Sequence, residues 1–249
     1  SDITAAYLNR PHIAEKYVDF MEEHTNIKMI YYGHDLHFMR EFREYELTGD
    51  VKKRQESEYW KSIEFSLFHK VAVSYYPSYV EEEAIHAVDE TIPVKAITAY
   101  VYEEFLQNLN KDFAKREGLL FVGGFAHPPN ADAVLWFAKE VFPKIREQIK
   151  VNFYIVGSKV TDEIKALEQP GNGIIVKGFV SEEELADLYR NCRIVVVPLR
   201  YGAGVKGKVV EAIYNGAPIV TTSVGSEGIP DVEKVLLVRD QPDEFAETV

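Results

Sequence analysis

Residues 193–222 read RIVVVPLRYGAGVKGKVVEAIYNGAPIVTT, an apolar strand that passes through a glycine-rich turn into a helix carrying Lys206, Lys208 and Glu211. These residue types suit phosphate and a sugar ring. Gly202, Gly204 and Gly207 let the backbone approach an anion without Cβ clashes, and the first helical turn offers unpaired N–H groups and the positive end of a dipole. The two lysines add mobile positive charge. Glu211, one helical turn beyond Gly207, carries a carboxylate that can accept hydrogen bonds from two ribose hydroxyls. Phosphate and ribose together point to a nucleotide.

Several chemistries fit the same string. Gly202-x-x-x-x-Gly207-Lys208 has P-loop spacing, but Val209 stands where a Ser or Thr would hold Mg²⁺. Gly202-x-Gly204-x-x-Gly207 matches the dinucleotide fingerprint, yet residues 198–201 separate it from the apolar run. The next strand, PIVTTS, ends in hydroxyls rather than a ribose-binding acid, with Glu227 near the expected distance. A plain connecting turn also uses glycine for steric reasons alone. A nicotinamide- or ATP-dependent enzyme, and a nucleotide-binding module without turnover, stay open on these residues.

In the first half, IYYGHDLHF ends an apolar strand at Gly33 and presents His34, Asp35 and His37 where parallel sheets place ligand groups. A metal site built on His34-x-x-His37 with Asp35 is one reading, although no ligand from a second element is identifiable. A structural histidine is another. His12, His24, His69 and His86 lack ligand spacing, whereas His127, in VGGFAHPPN, lines the same cleft as Gly123 and Gly124. Cys192 lies between a helix end and a buried strand and reads as core.

The elements that must position these residues alternate from residue 118 onward. Apolar runs LLFVGG, VNFYIVG, IIVKG, RIVVVPL, PIVTTS and VLLVRD are separated by the helical stretches ADAVLWFAKEVFPKIREQI, TDEIKALE, SEEELADLYRNC and 206–215. This is the pattern of a parallel sheet with helices on both faces. Ser181 with Glu184 reads as a capping box. The first hundred residues repeat the theme less completely, with strands in ITAAYL, IKMIYYG, KVAVSYY and VKAITAY and helical regions over 12–23, 38–68 and 79–88. Residues 1–100 read as a partial Rossmann-like domain, the polar stretch 101–117 as a linker, and 118–249 as a second Rossmann-like domain. Trp60 and Trp136 fall on helix faces and read as packing.

With 46% apolar residues in 249, the chain can bury one large core or two modest ones. Its net charge of −12 argues against nucleic acid as a partner, and a single cysteine excludes a disulfide framework. No apolar run approaches about 18 residues, so the expectation is a cytoplasmic protein with at most peripheral membrane contact.

Read along its length, the second half resembles the family-four, group 1 retaining glycosyltransferases of the GT-B fold. The match runs through LLFVGGFAHPPN, VNFYIVGS, VKGFVSEEELADLYRNCRIVVVP, GAGVKGKVVEA, NGAPIVTT and GSEGI in the family's order, strongly over 118–240 and more loosely over 2–100. The resemblance implies an α/β fold of two Rossmann-like domains, parallel sheets flanked by helices, with the N-terminal domain incomplete. Four strands are few for that domain, and the expectation is that the sequence is part of a longer polypeptide. The implied activity is transfer of a sugar from a nucleoside-diphosphate sugar to a hydroxyl acceptor with retention, in glycan or polysaccharide biosynthesis. The implied partners are a nucleotide sugar and a glycan or lipid-linked acceptor, with no metal or other cofactor.

Carried onto this sequence, the resemblance assigns catalysis to His34, Lys206 and Glu211, with His34 facing the donor sugar and helping to stabilise the departing sugar cation. It assigns donor binding to Gly123, Gly124, Lys177, Phe179, Arg200, Gly204, Val205 and Lys208. Lys177 and Phe179 flank a segment that reads the base edge, Phe179 being equally explicable as core. Two departures stand out. The Arg and Lys that follow the glycine turn in many members are replaced by Phe125, His127 and Asn130, which shifts phosphate neutralisation onto Lys206, with Arg200 or Lys208. Of the two Glu residues eight positions apart, the first is Ala203, which is compatible with a deoxy-sugar donor.

Overall fold

The computed structural model describes residues 3–107, 109 and 112–249; Asn108, Asn110 and Lys111, inside the stretch read as a linker, lie outside them. Four short strands in the first hundred residues, β1 (Ala5–Asn9), β2 (Lys28–Tyr32), β3 (Val73–Tyr76) and β4 (Val94–Ala96), pair in parallel in that order. Strand alternation buries Met29, Tyr31, Ser74 and Tyr76 on one face. There they share a core with Ala14 and Val18 of α1 (Pro11–His24), Leu67 and Phe68 of α3 (Val51–Lys70) and Ile85 of α4 (Tyr79–His86).

The helical region expected over 38–68 consists of two helices. Gly49 (φ 72°) ends α2 (His37–Thr48) with its N–H on the Tyr45 carbonyl at 2.8 Å, and Asp50 starts α3 by accepting from the Lys52 N–H at 2.9 Å. Strong helix formers stand on both sides of this point, but glycine followed by aspartate is a C-terminal cap followed by an N-terminal one. The start of α2 has no cap of its own; fully buried Glu64, from α3, accepts from the N–H groups of His37 and Phe38 at 2.9 and 3.1 Å.

The second sheet contains β5 (Leu119–Val122), β6 (Phe153–Val156), β7 (Ile174–Gly178), β8 (Ile194–Val197), β9 (Ile219–Thr221) and β10 (Leu237–Val238). All pairings are parallel, in the order β7-β6-β5-β8-β9-β10. Counted from the first strand of this sheet, the order is 3-2-1-4-5-6, that of a doubly wound dinucleotide-binding fold. The winding reverses between β5 and β8, so the loops leaving their carboxyl ends diverge and open a crevice there. All four residues of β8 are buried, as a central parallel strand requires.

The helix expected after β5 is α5 (Pro128–Trp136), a π-helical turn (Phe137–Val141) and α6 (Phe142–Gln148). Pro143 lacks the N–H that a continuous helix would need, and the ladder slips by one residue before it. Four residues, α7 (Asp162–Lys165), follow β6; α8 (Glu182–Asn191) follows β7, and α9 (Gly207–Tyr214) follows β8. The Ser181 hydroxyl accepts from the Glu184 N–H at 3.2 Å as expected, while the Glu184 carboxylate binds Lys177 instead of closing the box. A complete box starts α4, where Ser78 and Glu81 bond reciprocally.

The chain groups into two units. One holds Ser1–Val101 with the short stretches Tyr201–Val205 and Glu227–Ile229, the other Tyr102–Arg200, Lys206–Ser226 and Pro230–Val249. Among the described residues no helix is long and apolar enough to cross a membrane.

Candidate functional site

In the second unit the crevice between β5 and β8 is lined by the turn Gly123-Gly124 and by the first residues of α9. Lys208 extends from that first turn under the glycines. Its Nζ hydrogen-bonds to Asn130 Oδ1 and lies 4.6 Å from the centre of the Phe121 ring. Asn130 in turn donates through Nδ2 to the Gly124 carbonyl at 2.8 Å. A Cβ on Gly123 would stand 2.9 Å from both the Lys208 amine and Asn130, and one on Gly157 (φ 154°) would fall 1.8 Å from the Gly123 carbonyl oxygen. Glycine at 123 and 157 is therefore what lets backbone, lysine and amide converge. Burial, followed by the charge of Lys206, pushes the Lys208 amine down to about 7, with Glu211 acting in the opposite direction.

Lys206 occupies the N-terminal cap position of α9 and is only 9% exposed. Glu211 lies three residues beyond Lys208 on the same helix face. Its Oε2 accepts from the hydroxyl of buried Tyr189 at 3.2 Å, which orients the carboxylate. Burial and the Glu211 charge raise the Tyr189 pKa, so this phenol stays a donor. Tyr189 was missed from sequence because it reads as one more apolar residue of α8, and nothing local ties it to a carboxylate 22 residues on.

The other predicted donor residues are placed differently. Arg200 is held by Asp132 of α5, with Nε at 2.9 Å and Nη2 on the second carboxylate oxygen, and lies 6.0 Å from the Trp136 ring. Lys177 pairs with Glu184 at 2.7 Å. Phe179, following Gly178 (φ 70°) at the carboxyl end of β7, is 81% exposed, which removes the core reading for its ring. His127 sits at the start of α5, its N–H on the Gly124 carbonyl at 3.3 Å.

Gly204 and Val205 group with the first unit. The Gly204 N–H donates to Glu81 Oε1 at 3.0 Å, and at φ 77° a Cβ there would lie 2.6 Å from the His34 carbonyl oxygen. Gly202 offers its carbonyl to Arg43 at 2.7 Å, and Arg43 also grips Glu227 at 2.6 and 2.8 Å. His34 follows β2, its Nε2 3.1 Å from Asn9 Oδ1 and its ring edge-on to Tyr32. Burial and the Arg10 charge lower its pKa, favouring the neutral imidazole. Asp35 is paired with Arg40, and His37 Nδ1 lies 3.3 Å from Glu64. His34, Asp35 and His37 thus have three different partners, and among the described residues no three His, Cys, Asp or Glu side chains gather as a metal set. Cys192 is buried, its thiol pushed up to about 12.

Residues 116–249, with this glycine turn, lysine pair and glutamate, match the family model of the glycosyl transferases group 1. The chain belongs to that family. An uncharacterized 44.6 kDa protein in the cps region of Klebsiella pneumoniae is 33% identical over 136 residues, 52% of this chain and 33% of that protein. The sucrose-phosphate synthase of Thermosynechococcus elongatus superposes with a TM-score of 0.76 at 17% identity, covering 98% of this chain and 63% of that one. Anabaena HepE in complex with UDP and glucose gives 0.70 at 15% identity over 98% and 67%. A variant of S. aureus TarM in complex with UDP, among other ligands, gives 0.69 at 17% over 94% and 45%. These identities establish shared architecture: the group 1 chain has the parallel α/β sheets of GT-B glycosyltransferases. It spans a third of its curated relative and 63% of the synthase.

Proposed function

We propose that this chain transfers a sugar from a nucleoside-diphosphate sugar to a hydroxyl acceptor with retention of configuration. The observation that carries this reading is the convergence of the Gly123-Gly124 turn and Lys208 in the crevice, with Glu211 three residues further along the same helix. Phosphate at the start of α9 and ribose at Glu211 follow one line along that helix. The diphosphate is the leaving group, and Lys206, Lys208 and the first N–H groups of α9 stabilise its charge. The acceptor hydroxyl enters from the face the diphosphate leaves, so no protein nucleophile is required. His34, through its carbonyl or neutral ring, supports the sugar cation. Phe179 lies beside the base. Lysine charge does the work of a divalent ion, and turnover is expected to be unchanged in EDTA.

UDP, GDP, dTDP and ADP, with Mg·ATP and NAD as rivals, test the reading by thermal shift. At 100 times its Kd a ligand stabilises by about 2.7 kcal/mol. One nucleoside diphosphate, bound without metal and lost in Lys206→Ala and Glu211→Ala, is expected; two similar structures hold UDP, which heads the panel. Binding of NAD or Mg·ATP alone would sink it, and a nucleoside diphosphate bound without any transfer would leave a binding module. Retention is checked by NMR of the product anomer. Ala203 favours a deoxy-sugar donor, and faster turnover of the fully hydroxylated counterpart would remove that part. The acceptor is a glycan or lipid-linked glycan in polysaccharide synthesis, met in the cytoplasm with at most peripheral membrane contact; cell fractionation tests the location.

A further inference from the structure

Cations along the carboxyl edge of the second sheet are held in two ways. Arg200 meets Asp132 and Lys177 meets Glu184, so each charge is answered by a carboxylate. Lys208 is held by a neutral amide. The chemistry of the amide fixes its orientation: the Gly124 carbonyl can only accept, so Nδ2 of Asn130 donates to it at 2.8 Å, and Oδ1 is left to face Nζ. Asn130 is 7% exposed and sits in the first turn of α5, directly after the glycine turn. Aspartate would have the same shape, yet it would cancel the lysine charge and set an oxygen against the Gly124 carbonyl. Alanine would leave the amine without this acceptor.

We propose that Asn130 is a positioning residue for the donor diphosphate, an uncharged bracket that fixes Lys208 beneath the Gly123-Gly124 turn while leaving its charge for the phosphates. This rests on the donor-site reading above. The groups around the Lys208 amine are Asn130 from α5, the Phe121 ring from β5, and Lys206 and Glu211 from its own helix. With the amine pushed down to about 7, arrival of a phosphate draws a proton onto it, and a neutral acceptor permits that change where a carboxylate would have charged the amine beforehand.

The test compares UDP with uridine, or the pair of whichever base the panel selects, on the whole chain and on Asn130→Asp and Asn130→Ala at pH 6.5 and 8.5. For the unsubstituted chain, affinity for the diphosphate is expected to fall about tenfold from the lower to the higher pH, as one charged contact is lost. Asn130→Asp is expected to weaken the diphosphate about tenfold or more at pH 6.5, to flatten that pH step and to leave uridine binding by the folded protein unchanged, with some loss of Tm from the hydrogen bond to Gly124. A purely structural role would instead weaken both ligands alike and keep the pH step. Equal loss for both, or diphosphate affinity within about twofold of the original in both folded variants, overturns the proposal alone. If none of the nucleoside diphosphates binds the unsubstituted chain, the donor-site reading falls and takes this one with it.

Discussion

Lys208 is expected to give opposite pH dependences to the stability of the free protein and to its affinity for a nucleotide. Because its folded pKa, about 7, lies below the ordinary lysine value, the unfolded chain binds more protons between that value and about 10.5. Stability of the unliganded protein is therefore expected to rise with pH over this window, while nucleotide affinity falls. Melting curves at pH 7 and 9 on the original chain and on Lys208→Met check the first part; parallel changes in the two proteins would refute it. Glu211 gives a second prediction at this scale. Tyr189→Phe removes the hydrogen bond that orients the carboxylate, worth about 1 kcal/mol, and is expected to weaken a ribonucleotide about fivefold without changing binding of its 2′,3′-dideoxy analogue. Equal effects on both ligands would separate Tyr189 from the ribose.

Whole elements depend on a few residues with special backbone duties. Gly123→Ala forces a methyl to within 2.9 Å of Lys208 and Asn130, so the expected result is a loss of about 1–3 kcal/mol on chemical denaturation, with nucleotide binding lost as well. At Gly49 a Cβ meets nothing within 4 Å, but φ is 72°. Gly49→Ala is accordingly expected to lower stability by about 1 kcal/mol through backbone strain and to leave nucleotide binding untouched. Together the two variants separate steric from conformational need for glycine. The capping box foreseen at Ser181 is half formed because a lysine on β7 outbids the cap for the Glu184 carboxylate. Sequence places the start of α4 at 79, and the structure adds the box that Ser78 and Glu81 close there.

At the scale of the molecule the two sheets wind differently. The first runs β1 to β4 in one direction, whereas the second reverses between β5 and β8 and so has a crevice at its carboxyl edge. Nucleotide binding is expected to slow hydrogen exchange in residues 121–130 and 206–212 and to leave β1 to β3 unchanged. Mass-spectrometric exchange with and without UDP reads this directly, and protection confined to the first sheet would place the ligand elsewhere.

The alternation of apolar runs with helical stretches after residue 118 determined the parallel sheet, and the residue types from Gly202 to Glu211 pointed to an anion and a ribose, because periodicity and glycine chemistry are local properties. Tertiary structure alone decided which of these charges meet a carboxylate and which a neutral group. Lys208 is bracketed by Asn130, 78 positions away; Arg200 is neutralised by Asp132 across 68; and Glu211 is oriented by Tyr189 across 22. A local pattern shows that a lysine is present, but whether its charge is cancelled, buried or kept depends on the neighbours that the strand order brings to it.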